Sequence, residues 1–333
     1  MKRYVLSLAA VLAVALVAAG SALADRSLIP DLAADPSVWL TLLQESPLNP
    51  SPPQPSGADE ARAGTTLSIY EHTAKPWILS AQGCSAAKRQ ETGVVVLDFG
   101  KPAFRRHGYG TILFSGRFSL NHRITTAMVG YAHGYVSCLP EGSTASITLA
   151  RGTSNYDPAV PSAYAAGVHW ARATNKLGRI LVREGLADHV EAAAADDAEP
   201  AWDRGFRKTR DFFHGFRAAV RGHTLFDYGS LDGGVGVVWN ARQMWYVAGG
   251  LRHTQALPEI YNSVMADEWA DLARIAHNRY HRDVSFAGVM TQGTATCNCG
   301  LRPNEAHRVL ERALDSVGVD ASAIPDGGTN IVG

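Results

Sequence analysis

The chain has 333 residues, with 31 Lys and Arg against 31 Asp and Glu, so its formal net charge is zero. That balance lacks the strong basic excess or stripe typical of nucleic-acid-binding proteins, and nucleic acid is not expected as a partner. The short run Arg105-Arg106-His107 reads as a solvated loop rather than a phosphate site.

The N-terminus reads MKRYVLSLAAVLAVALVAAGSALAD, with Lys2 and Arg3 ahead of an apolar run and Ala22-Leu23-Ala24 before Asp25. This is the pattern of a secretory signal peptide over residues 1–24, cleaved after Ala24, and it implies a secreted, extracellular protein. The competing reading is a retained anchor. The small-residue exit and the lack of a second long apolar run argue against it, so no stable membrane span is expected after cleavage, and the mature chain is expected to be a monomer. No Cys stands at the cleavage point, which disfavours a lipoprotein. Loss of Lys2 and Arg3 leaves 29 basic residues against 31 acidic ones. Residues 25–64 end in NPSPPQPSGADEARAG, a Pro-rich linker composition with little to bury. The folded domain is therefore read as 65–333; its roughly 265 residues are close to the size of about 250 usual for an α/β barrel.

From residue 65 onward, short apolar runs alternate with longer amphipathic segments. TGVVVLDFG is a β-branched run of strand length, and ITTAMVGYAHGYVSCL has helical length and spacing. ASITLARGTSNY is a strand, AYAAGVHWARATNKLGRILVREGL a helix, and EAAAADD a strand again. RKTRDFFHGFRAAV (helix), HTLFDYGS (strand) and NARQMWYVAGG follow, the last a short helix ended by Gly249 and Gly250. TQALPEIYN (strand), ADEWADLARIAHNRY (helix), VSFAGVMTQG (strand) and NEAHRVLERALDSVG (helix) complete the series.

Strands separated by helices imply βαβ units and a parallel sheet, and continuous rather than alternating apolar strands fit a sheet buried on both faces. The Gly-rich dinucleotide and Walker phosphate loops are both absent, which favours a barrel over an open doubly wound sheet. The expected fold class is thus α/β, an irregular (β/α)8 TIM barrel. Only six βα units are plain, and YGTILFSG and TTLSIYEH are the candidates for the two missing barrel strands.

The cysteines, Cys84, Cys138, Cys297 and Cys299, all follow the signal and so face an oxidising compartment. Of the three possible pairings, Cys84–Cys138 with Cys297–Cys299 closes the shortest loops. A C-x-C ring is strained, and crossed pairing stays open. As half of a metal site, CNC has only His307 in support.

In a βα barrel the chemistry gathers at the C-terminal ends of the strands. Here those ends carry Asp98, then Asn155 and Tyr156, then Asp196, Asp197 and Glu199, then Asp227 and Tyr228, then Glu259 and Tyr261, and last Gln292. Taken singly, Asp98 and Asp227 also suit the N-cap of a following helix. His169, His214 and His277 fall within helices at no ligand spacing, and Trp170, Trp245 and Trp269 fall where packing is the default. Trp202, on a loop just after the acidic cluster, fits a sugar-stacking platform as well as it fits core packing. Asp197 and Glu199 are two apart on an extended segment and so share a side, where mutual repulsion raises the pKa of one of them. A carboxylic acid kept protonated beside an ionised carboxylate is what glycosidic cleavage uses.

An Asp on the first strand (Asp98 in VVVLDFG) and a D-x-E on a middle strand (Asp197 to Glu199 in ADDAEP) resemble the lysozyme-type glycoside hydrolases of family 25 and related glycosidase-like barrels. The resemblance implies a polysaccharide or peptidoglycan substrate, Glu199 as general acid, and Asp197 and Asp98 positioning the substrate or stabilising the transition state. Glu259 offers a second carboxylate as partner to Glu199. Asp196, Trp202, Asp227, Tyr228, Tyr261, Asn155 and Gln292 are the expected substrate contacts. The chain departs from the family in DFGKPAF, where the family places a hydroxyl residue after the Asp, and in the long segment from Lys101 to Asn121. Those departures motivate a second reading, a barrel that binds saccharide or a cell surface without cleaving it. No cofactor is expected, and no His-x-His or H-E-x-x-H pattern supports zinc. The metal alternatives are hydrolysis with Asp98, Asp196 and the neighbouring carboxylates as oxygen ligands, and a structural calcium ion on Asp196 and Asp197.

Overall fold

The computed structural model describes residues 65–106, 108–292, 300–321 and 324–332. The signal, its cleavage site, the linker, and Cys297 and Cys299 lie outside the described residues. β1 (Thr65–Tyr70) leads to α1 (Pro76–Lys88) and β2 (Gly93–Asp98). Three short strands follow, β3 (Lys101–Arg105), β4 (Gly108–Ile112) and β5 (Phe118–Leu120), and then α2 (Asn121–Cys138). Next come β6 (Ile147–Ser154), α3 (Ala163–Arg183), β7 (Val190–Asp197) and α4 (Arg207–Ala219). β8 (Leu225–Asp227), α5 (Ala241–Trp245), β9 (Thr254–Ala256), α6 (Ser263–Ile275), β10 (Val289–Thr291), α7 (Pro303–Ser316) and β11 (Gly328–Val332) complete the described chain.

Eight strands form one parallel sheet in the order β10-β11-β1-β2-β6-β7-β8-β9. Its two edges meet through Ala256 with Phe286 and Glu259 with Met290, where Met290 donates its N–H to Pro258 O and Ile260 donates to Met290 O. The sheet is thereby curled into a TIM-barrel-like α/β fold with strands in sequential order. TTLSIYEH supplies the barrel's first strand, β1, so Asp98 ends the second strand rather than the first. YGTILFSG does not join the barrel: it forms β4 of a separate antiparallel sheet, β3-β4-β5, which takes up the long segment from Lys101. The eighth strand is the C-terminal GTNIV, paired with both β1 and β10. Its five residues are too short for periodicity to mark.

Period-2 alternation sorts each strand's residues between the two faces. Val96, Ala150, Ala193, Ala195, Phe226, Leu257, Met290 and Ile331 fill the barrel interior. On the outside, Ala194 and Leu225 pack in one cluster with Trp170, Phe213 and Trp269 of the helices, while Val95, Leu97 and Leu149 pack with Met128 and Tyr131 of α2. Burial of each such Val, Leu or Phe contributes about 1.5–3 kcal/mol. Alanine is a poor strand former in isolation, but in β7 both faces are covered at close range, and context overrides propensity. Cys84 and Cys138 are disulfide-bonded and tie α1 to the last residue of α2 across 54 residues of sequence. Among the described residues, no helix is long and apolar enough to cross a membrane.

Candidate functional site at the barrel mouth

Asp98 closes β2 on the inner face, 1 % exposed. Its Oδ1 accepts the Gly100 N–H at 2.8 Å and its Oδ2 accepts the Tyr228 hydroxyl at 2.8 Å. The first bond is a local Asx-type turn rather than a helix cap, and Gly100 allows it by adopting a φ of 76°. Gly152 of the neighbouring strand makes the room: a Cβ there would stand 2.8 Å from the Asp98 Cα. Burial raises the Asp98 pKa only to about 6, because Tyr228 and the Gly100 N–H both favour the anion. Tyr228 is itself fully buried. Expected as a substrate contact, it donates its hydroxyl to Asp98.

Asp197 and Glu199 come from β7 and the turn beyond it, and Glu259 from the segment after β9. Asp197 and Glu259 are buried, and Glu199 is half-buried above them. Burial first, then the charges of Glu199, Glu259, Asp98 and Asp196, hold the Asp197 carboxyl well above the usual range. Glu199 is raised strongly by burial and by Glu259 and Asp232, opposed by a hydrogen bond from Ser230. Glu259 is pushed up by burial to about 7, moderated by the Tyr261 hydroxyl. Tyr70, at the end of β1, feels Glu259, Asp197, Asp98 and Glu199 together. Its place in the cluster follows from applying the strand-end rule to TTLSIYEH, a step the sequence reading did not take.

Asn155 clamps this arrangement. Its Nδ2 donates to Glu199 O at 2.9 Å and to Thr209 Oγ1 at 3.0 Å, while its Oδ1 accepts the Glu199 N–H at 3.1 Å. Those bonds tie Asn155, an expected substrate contact, to the Glu199 backbone, and Asn155 also lines a small cavity beside Asp196. Among the described residues, none of Asp98, Asp197, Glu199 or Glu259 is in an ion pair; the salt bridges lie elsewhere.

Asp196 and Asp227 are not part of the mouth. They are register partners on β7 and β8, and alternation turns both outward beneath the helices. Asp196 lines a small cavity with Ala163, Ala166 and Phe212. Each is 1 % exposed, and Asp196 Oδ2 and Asp227 Oδ1 have no hydrogen-bond partner. Both carboxyls are raised well above their usual value, chiefly by burial. Because Asp196 and Asp197 face opposite sides of the sheet, they do not form a common calcium site. Glu71, just past β1 and raised by burial to about 8 against a hydrogen bond from Gln82 of α1, is a further buried acid that the sequence reading passed over.

The rim is aromatic on two sides. Tyr156 meets Trp202 edge-on at 5.4 Å, with Lys101 Nζ 5.4 Å from the Tyr156 ring centroid. Phe114, 43 % exposed in the loop between β4 and β5, stands 4.7 Å from the Tyr70 ring. Tyr261 is half-buried beside Glu259, and Gln292 follows the end of β10, also half-buried. No protein-family model matches this chain, and a search of curated proteins finds no match. The fold and the site define the class: a TIM-barrel-like α/β protein with a group of carboxyls, none in an ion pair among the described residues, at the C-terminal ends of its strands.

Proposed function

We propose that the chain is a glycoside hydrolase acting on a cell-wall or other extracellular polysaccharide. The observation that carries the proposal is the gathering of Asp98, Asp197, Glu199 and Glu259 at one mouth, none in an ion pair among the described residues, with each carboxyl raised by burial and Asp98 raised only to about 6. Burial, Glu259 and Asp232 favour the protonated form of Glu199, while Tyr228 and the Gly100 N–H favour the Asp98 anion.

In the reaction, Glu199 gives its proton to the glycosidic oxygen as the bond to the anomeric carbon breaks. The cationic sugar is stabilised by Asp98, with Asp197 and Glu259 flanking it. Water then adds to the anomeric carbon, and its proton returns to the Glu199 carboxylate, which restores the enzyme. Trp202 with Tyr156 on one side and Phe114 on the other supply faces on which pyranose rings can stack.

The test is reducing-sugar release from peptidoglycan, chitin, glucans and arabinogalactan, with Glu199→Gln run beside the wild type. Glu199→Gln is expected to lose activity by about 10²–10⁴-fold while keeping its melting temperature. The wild-type rate should rise with pH through about 6 to 7, as Asp98 and Glu259 ionise, and fall at higher pH as Glu199 loses its proton. Full activity in Glu199→Gln removes the assignment. Silence of both proteins across the panel, together with retained glycan binding, identifies a saccharide-binding barrel instead.

A further inference from the structure

At the opposite end of the barrel from the carboxylates, the strands begin, and the surface there is basic. An open groove of about 650 Å³ runs between α3 and the end of α4, lined by Arg172, Arg179 and Arg221. It adjoins a second groove that shares Arg221 and adds Arg217 and Arg252. Arg172 and Arg179 lie on one exposed face of α3, with the exposed Lys176 between them, at spacings of four and three residues. Arg217 lies on the last turn of α4, and Arg221 on the turn just beyond its end.

Among the described residues, none of these five arginines is in an ion pair. In a chain with 31 basic and 31 acidic residues, such a concentration of unpaired cations is a local asymmetry rather than a general excess. The turn that presents Arg221 is fixed. Asn175 donates to Ala219 O at 2.9 Å and accepts the Arg221 N–H at 2.9 Å, and Asn175 is itself buried. Two histidines report the positive field. His253 is lowered by burial, Arg252 and His223, and His169, one turn before Arg172, by burial and Arg172.

We propose that this groove binds a linear anionic polymer bearing phosphate groups. Guanidinium forks match phosphate oxygens in pairs, whereas ammonium groups act as point charges; all five charged lining positions are arginine. Successive side chains about 5–6 Å apart along a helix face suit a row of charges on one extended chain, and the groove is concave where a bilayer would require a flat or convex contact. No Phe, Tyr or Trp lines either groove, so single-stranded nucleic acid would lack the stacking platform that it uses. The site lies away from the carboxylate mouth, so it neither needs nor supports the glycosidase reading.

Isothermal titration of the full chain with long-chain inorganic polyphosphate tests the proposal, at several salt concentrations. A single-stranded oligonucleotide and anionic phospholipid vesicles serve as comparison ligands. Wild type should bind polyphosphate more tightly than either, with affinity falling linearly on a log–log plot against salt. The double variant Arg172→Ala/Arg221→Ala should bind at least about tenfold more weakly and lose about two units of salt slope. Arg308→Ala, on the exposed face of α7, should match the wild type. Unchanged melting temperatures exclude misfolding as the cause of lost binding, which these exposed positions make easy to satisfy. The proposal is overturned if wild type fails to bind polyphosphate at low salt, if the double variant binds as tightly, or if the oligonucleotide or the vesicles bind as well as polyphosphate does.

Discussion

Asp196 and Asp197 are adjacent in sequence, both are buried, and both have carboxyls held well above the usual range, yet they belong to different regions of the molecule. Asp197 faces the barrel axis, where it meets Glu199 from the turn after its own strand, Glu259 from the segment after β9 and Asp98 from the end of β2. Asp196 faces the helices, where its register partner is Asp227 and the cavity beside it is lined by Ala163, Ala166 and Phe212 together with Asn155, Lys208 and Thr209. Burial and a perturbed pKa are therefore common to a carboxylate at the mouth and to one beneath the helices. The direction of the side chain, set by the pleat, is what separates them.

Substituting the two residues separately tests the separation most severely. Asp197→Asn should lower glycan hydrolysis by about 10²-fold, with the loss in kcat rather than KM, and should raise the melting temperature by a few degrees at neutral pH because the amide needs no proton to be buried. Asp196→Asn should leave activity within about threefold of wild type and raise the melting temperature similarly by relieving the contact with Asp227. Equal activity losses in the two variants would mean that the outward face is as much a part of the site as the inward one.

The strand ends were legible in the sequence because in a parallel barrel each apolar run stops where the chain reaches the mouth; Asp98, Asp197, Glu199 and Glu259 were all found that way. The D-x-E spacing placed Asp197 and Glu199 side by side on one strand; Glu199 instead lies just past the end of β7, where its charge still reaches Asp197. What the same rule cannot separate is two successive carboxylates, since that depends on which residue of the strand faces inward. Asp196 and Asp227 were therefore expected at the mouth when they lie outside it. Tyr228 and Asn155 are at the predicted place but are committed to Asp98 and Glu199 through long-range hydrogen bonds, across 130 and 44 residues respectively, which no local pattern encodes. The helix α1 was missed because WILSAQGCSAAK has little amphipathic contrast, its buried face being made largely of Gly and Ala.

Stability against pH should bring the two regions together where activity separates them. Asp98 is raised to about 6, Glu259 to about 7 and Glu71 to about 8, and Asp196, Asp197 and Asp227 are raised as well. The folded state thus keeps protons that the unfolded chain releases above about pH 4. The stabilisation is complete below that pH and is lost as pH rises through the folded-state values. The melting temperature should consequently be higher at pH 5 than at pH 8, by on the order of 5 °C. Asp196→Asn and Asp197→Asn should each flatten that slope, irrespective of their different effects on catalysis. A melting temperature that rises from pH 5 to pH 8 would show that these acids are ionised in the folded protein.

The smallest effect is expected at Ser230, whose hydroxyl lies 3.4 Å from Glu199 Oε1 and 3.2 Å from Asp232 Oδ1. At those lengths the bonds are weak, and a single proton serves both acceptors. Donation to Glu199 favours its anion, so Ser230→Ala should raise the Glu199 pKa further and move the alkaline limb of the rate profile to higher pH, with the rate at pH 7 within about threefold of wild type. Asp196→Asn should leave that limb where it is, because Glu199 is perturbed by burial, Glu259, Asp232 and Ser230 and not by Asp196. A limb that moves to lower pH in Ser230→Ala would mean that a group other than Glu199 gives up the proton, and the acid would then have to be sought in Asp197 or Glu259.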